Sequence, residues 1–130
     1  MKRDMDLIRE LLLKLEEYPK ALEDVVHITP DAPGIQVAGY EVDQISYHLS
    51  LIEEAGLIDT RGAGAQIGIY FYRLSWDGHE FIDTVRDSEV WRRVKAGAAQ
   101  AGAASVSLLV GLGKAYAKQM IKERLGIDLA

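Results

Sequence analysis

From Glu41 to Leu74 the apolar residues change from helical spacing to two-residue alternation, and the change falls at one glycine, Gly56. Val42, Ile45, Leu49 and Ile52 recur at three- and four-residue steps, the pattern of a helix over Glu41 to Ala55 with one buried face. Gly56 supplies its stop, because glycine accepts the left-handed conformation that ends helices. Leu57-Ile58-Asp59-Thr60 then reads as a strand and Gly62-Ala63-Gly64-Ala65 as a flexible loop. Gln66 to Leu74 sets Ile67, Ile69 and Phe71 against Gly68, Tyr70 and Tyr72, which is strand periodicity. A helix that feeds a hairpin predicts an α+β domain.

The flanking segments extend that frame. Leu7, Ile8, Leu11, Leu12 and Leu15 share one face of a helix from Asp4 to Glu17, which Tyr18-Pro19 ends. Val25-Val26-His27-Ile28 and Ile35-Gln36-Val37 read as short strands around the turn Thr29-Pro30-Asp31-Ala32-Pro33-Gly34. Pro30, Pro33, Gly34 and Gly39 leave room there for a turn of helix at most. Ser75 is a natural N-cap for a helix from Trp76 to about Arg86, with Phe81, Ile82 and Val85 inward. Asp87-Ser88 breaks that helix and restarts it toward Trp91. A last helix spans about Ser105 to Leu125, with Gly126-Ile127 as a left-handed cap and its apolar contact.

Composition narrows the function classes. A chain of 130 residues that is 48% hydrophobic and 27% charged can bury a core without staples. It has no cysteine, which removes disulfides, thiolate zinc sites and cysteine nucleophiles, and suits a cytoplasmic setting. Asp4, Asp6, Arg9 and Glu10 interrupt the apolar residues after Met1-Lys2-Arg3, so no secretory signal is expected. The charge-free run Ala96 to Gly113 is mostly Ala, Gly, Ser and Gln, which favours a packed helix over a membrane span. Residues 1–85 carry a balance of -9 and residues 86–130 a balance of +4, so the two parts attract each other within a chain or between chains.

The order helix, helix ending in Glu53-Glu54-Ala55-Gly56-Leu57-Ile58, hairpin, then Leu74-Ser75-Trp76-Asp77-Gly78 resembles bacterial winged-helix regulators over about residues 4–86. Ile45 to Ile58 is similar to their recognition helix and following strand, and Leu74 to Gly78 to their turn after the wing. The opening Met1 to Arg9, Tyr47-His48, Gly78-His79-Glu80-Phe81-Ile82-Asp83 and Arg86-Asp87…Val90-Trp91 more closely resemble an uncharacterised bacterial and phage family. That family is a domain of unknown function, numbered twenty-five-thirteen. The resemblance implies nearly full-length coverage and brings no activity with it. The sequence departs from winged-helix DNA readers at residues 20–40, where no helix reads before the recognition helix.

Candidate contacts follow from charge. DNA affinity comes mainly from Lys and Arg on phosphates. Glu41 to Thr60 carries five acidic residues and no cation, and Arg61 is the single addition up to Tyr72. Gln44, Tyr47 and His48 are the candidate contacts of the helix, with Ser46 and Ser50 beside them, and Arg61 is that of the wing. Lys114, Lys118 and Lys122 recur every four residues as a basic stripe, with Arg124 beside it; this suits an acidic partner, a nucleic-acid backbone or an anionic surface.

His27, His48 and His79 lack metal-ligand spacing, and the serines lack an elbow motif. Gly62-Ala63-Gly64 and Gly111-Leu112-Gly113-Lys114 miss the phosphate-loop spacing. No cofactor, metal or catalytic residue is therefore expected. The small residues Ala98 to Ala104 allow close helix approach, either within the chain or in a homodimer, and Trp76 and Trp91 are expected in the core.

These readings predict a winged-helix-like domain over 1–87 and a helical extension over 88–130 that packs or dimerises. The expected role is a non-enzymatic regulatory adaptor of bacterial or phage origin, cytoplasmic, acting on a protein partner. A winged-helix DNA-binding transcription regulator is the alternative, and a small enzyme the third reading.

Overall fold

In the computed structural model, which describes residues 1–102 and 105–126, the chain is α+β with ten short elements. It divides into two compact units, Met1–His79 and Glu80–Ala130.

The first unit opens with α1 (Met5–Glu16), capped by Asp4, whose side chain accepts from the backbone N–H groups of Asp6 and Leu7. Strand β1 (Val26–Ile28) follows, then a single 3-10 turn over Pro33–Ile35. Helix α2 (Val42–Glu54) has a capping box, in which Glu41 and Gln44 each satisfy the other's backbone N–H. Strands β2 (Ile58–Asp59), β3 (Ile69–Phe71) and β4 (Arg73–Leu74) complete the unit's sheet structure.

The strand pairing differs from a simple hairpin. Antiparallel to β3 lies β1, with Val26 opposite Phe71 and Ile28 opposite Ile69. Antiparallel to β4 lies β2, with Ile58 opposite Leu74. Only Tyr72 separates β3 from β4, and its N–H donates to the Asp59 carbonyl. Residues 69–74 therefore pair with β1 along their first half and with β2 along their second. Gln66 to Gly68, expected in the strand, lie outside it.

Packing against α1 are α2, β4 and the 3-10 turn. Leu7, Leu11, Leu12 and Leu15 meet a core that includes Ile45, Leu49, Ile52, Ile28, Ile35 and Ile69, all essentially inaccessible to water. Burying each such side chain contributes about 1.5–3 kcal/mol, so this interior drives the folding of the unit.

Two expectations are corrected here. Ile35-Gln36-Val37 is not a strand. Pro33 has no N–H for a ladder, and the Gln36 amide folds back to donate to the Pro30 and Ala32 carbonyls, both at 2.9 Å. Trp76 is not in the core: it is 79% exposed at the first position of α3 (Trp76–Val85). Ser75 caps α3 as expected, taking the Gly78 N–H and donating to the Gly56 carbonyl.

The second unit holds the rest of α3, α4 (Ser88–Ala101) and α5 (Val106–Leu125). Asp87 caps α4 through the N–H groups of Glu89 and Val90. In its first turn Glu89 is held down to about 2 by its hydrogen bonds to Arg92 and, secondarily, Arg93. Trp91 is buried as expected and meets the Phe81 ring edge-on at 6.2 Å. Helices α4 and α5 pack along each other at small residues. A Cβ on Gly97 would stand 2.7 Å from the Tyr116 hydroxyl, while Gly113 of α5 lets that helix approach Thr84 of α3 instead. Gly126 ends α5 in the left-handed conformation. Its expected contact through Ile127, and the small residues Ala103 and Ala104, lie outside the described residues.

Candidate functional site

Helix α2 presents two chemically different faces. Ile45, His48, Leu49 and Ile52 turn inward. Val42, Asp43, Tyr47, Ser50 and Glu54 turn outward, with Val42 43% and Tyr47 36% exposed. Around the helix, at about 100° per residue, Asp43, Ser50 and Glu54 fall between Val42 and Tyr47, and the helix contains neither lysine nor arginine.

The contacts predicted for this helix separate on folding. Tyr47 is available at the surface. Gln44 is half-buried, and its side-chain oxygen accepts the Glu41 N–H at 2.9 Å. His48 is 1% exposed and belongs to the interior. Its Nδ1 lies 2.7 Å from the Gln44 carbonyl, and its Nε2 accepts the Asp4 N–H at 2.8 Å. The second bond makes the ring neutral, with its proton on Nδ1. Tyr47 stands edge-on to the His48 ring at 5.5 Å, so the buried imidazole holds the exposed phenol in place.

The same network fixes the start of α1. The Tyr40 hydroxyl donates to Asp4 Oδ2 at 2.8 Å while Asp4 Oδ1 caps the helix. That hydrogen bond, followed by burial and the nearby negative charge, pushes the Tyr40 hydroxyl up to about 12. Sequence reasoning placed Asp4 in the first turn of α1, but nothing in its spacing announced Tyr40 or His48 as partners.

The remaining candidates lie elsewhere. Arg61 occupies the turn after β2 with a left-handed backbone, φ 56°. Its guanidinium lies 4.0 Å from the centre of the Tyr72 ring, and hydrogen bonding to Tyr72 raises it further above its ordinary range. On α5, Lys114, Lys118 and Lys122 are exposed at the four-residue spacing of the expected stripe. Lys114 is within 3.5 Å of Glu80, and Arg93 within 3.8 Å of Glu123, so local carboxylates answer part of this positive charge. Among the described residues no three His, Asp or Glu side chains converge as a metal site. No described helix is long and apolar enough to cross a membrane.

Known proteins include relatives of this chain. It is 35% identical over 97 residues to an uncharacterised protein of Haemophilus influenzae (strain ATCC 51907 / DSM 11121 / KW20 / Rd), covering 73% of this chain and 76% of the relative. No solved structure matches it. The family model described as "Hypothetical protein (DUF2513)", a domain of unknown function, matches residues 2–104, which include α1 to α4 and stop short of the lysines of α5. The chain belongs to that family.

Proposed function

We propose that this protein is a non-enzymatic, cytoplasmic regulatory adaptor of winged-helix type that docks a protein partner on the outward face of α2. The observation that carries the proposal is the composition of that face: Val42 and Tyr47 exposed on either side of Asp43 and Glu54, without a cation on the helix. Aromatic residues are favoured interface anchors, and neighbouring carboxylates select a neutral or basic surface. The same charges oppose a phosphate backbone. The double pairing of residues 69–74, with β1 on one half and β2 on the other, supports the winged-helix reading. Self-association through the helical extension accompanies this role, and the exposed Ala96, Ala99 and Ala101 support it.

Replacing Tyr47 with a photo-crosslinking residue, in the natural host, tests the docking face. A discrete protein adduct is expected, and Asp43→Lys with Glu54→Lys should abolish it. In parallel, the purified chain should leave random duplex DNA unbound at low salt. Duplex binding that weakens steeply with salt would replace the adaptor with a DNA-binding regulator, its cations supplied by Lys114, Lys118 and Lys122.

A further inference from the structure

Elsewhere in the first unit, three cationic side chains gather on one aromatic ring. The guanidinium carbons of Arg61 and Arg73 lie 4.0 and 5.0 Å from the centre of the Tyr72 ring, and Lys20 Nζ lies 5.5 Å from it. Neighbouring like charges repel, and the ring offers each only a modest attraction. The chain's own carboxylates answer the arginines loosely. Glu23 is 3.8 Å from Arg61 and Asp59 is 3.9 Å from Arg73, both beyond hydrogen-bond length. The arginine nearest the ring also has a left-handed backbone, which costs a residue other than glycine about 1–2 kcal/mol.

Tyr72 borders a cavity of about 350 Å³ between the end of α1, the segment after it and the β3–β4 strand. This is within the range of small-molecule sites, roughly 300–1,000 Å³. Lys20, Arg73 and His79 bring N–H donors to its wall, and Leu15, Leu22 and Phe71 bring apolar surface. Lys20 donates to the Ala21 and Leu22 carbonyls, which leaves it one N–H. Arg73 and His79 are exposed. Glu16 and Glu23 also border the cavity and lower its positive potential. Desolvation grows with the square of the charge and attraction only in proportion to it, so this weakened potential favours a singly charged anion over a doubly charged one.

We propose that this cleft binds a small organic monocarboxylate with an apolar or aromatic body. Arg73 takes the carboxylate in the paired geometry that suits a planar guanidinium, Lys20 and His79 assist, and the body lies against Leu22 and Phe71. The site is separate from the α2 face and stands without it.

Amide NMR of the full chain tests this, with phenylacetate, phenyl phosphate and benzylamine as probes. Phenylacetate should bind saturably in the millimolar range, shifting Tyr72, Arg73 and His79. Phenyl phosphate should bind more weakly, and benzylamine, of opposite charge, should not bind. Arg73→Gln should weaken phenylacetate at least about tenfold, which is the loss expected for one charged hydrogen bond. Its spectrum should otherwise match the parent, because Arg73 is exposed. The proposal is overturned by an absence of saturable shifts at those residues in the unsubstituted chain. Tighter binding of either other probe would overturn it too, as would phenylacetate affinity unchanged by both Arg73→Gln and Lys20→Gln.

Discussion

Asp4 serves several partners at once: it caps α1, accepts from Tyr40 and donates its own N–H to His48, 44 residues away in sequence. His48→Ala removes a buried ring and leaves the Asp4 N–H and Gln44 carbonyl without these bonds. It should cost about 2–4 kcal/mol in urea unfolding, from the lost packing and hydrogen bonds together. Tyr40→Phe should cost about 1 kcal/mol near neutrality, the net worth of one hydrogen bond. Folding raises the Tyr40 pKa from its ordinary 10.0 to about 12, so its contribution is complete below the lower value. It is lost as pH rises through the upper one. The difference between parent and Tyr40→Phe should therefore shrink across that window when urea curves are repeated at rising pH. Spacing placed Ile45, Leu49 and Ile52 on the buried side of α2 correctly, but Val42, assigned to the same face, is exposed in the first turn. His48 falls on that side too, three residues after Ile45 and four before Ile52, yet it was read as a surface contact because its buried partner, the Asp4 N–H, is 44 residues away.

At the scale of elements, close backbone approach decides which glycines can change. A Cβ on Gly78 would lie 2.0 Å from the Leu57 carbonyl oxygen, so α3 begins against β2 only because that position has no side chain. Gly78→Ala should lower stability by about 2–3 kcal/mol, an overpacking cost in which backbone must move. Gly97→Ala meets the Tyr116 hydroxyl, the far end of a side chain that can swing aside, and should cost about 1 kcal/mol or less. Thermal unfolding of the two variants checks this order. Helices α1, α2 and α3 were legible because each carries a repeated apolar face. The end of α4 was not: the run Ala96 to Gly113 reads as one packed helix, but Gly102 turns left-handed and stops α4, and Ser105 caps α5 anew. Short strands were harder. Ile35-Gln36-Val37 has strand composition, yet Pro33 and the Gln36 amide settle it as a turn. The hydrophobicity of Trp76 suggested burial, but the first helical position faces outward once Ser75 has capped α3.

For the whole molecule, the charge asymmetry between its two parts is the property most open to experiment. If the helical extension self-associates, light scattering of the full chain should return twice the chain mass, and Ala99→Glu should return it to one. A single chain mass in both would mean that the small residues serve only the packing of α4 on α5. The cleft beside Tyr72 was missed in sequence because its donors come from a loop, a strand and a helix, at Lys20, Arg73 and His79. The tie between Asp4 and His48 also has a practical side. It sets the fourth residue of the chain against the inner side of the helix that carries Tyr47, so loosening the start of α1 would loosen that helix as well. Weaker capture by an Asp4 variant would therefore report a disturbed fold and not a lost contact, and calls for an unfolding curve beside it.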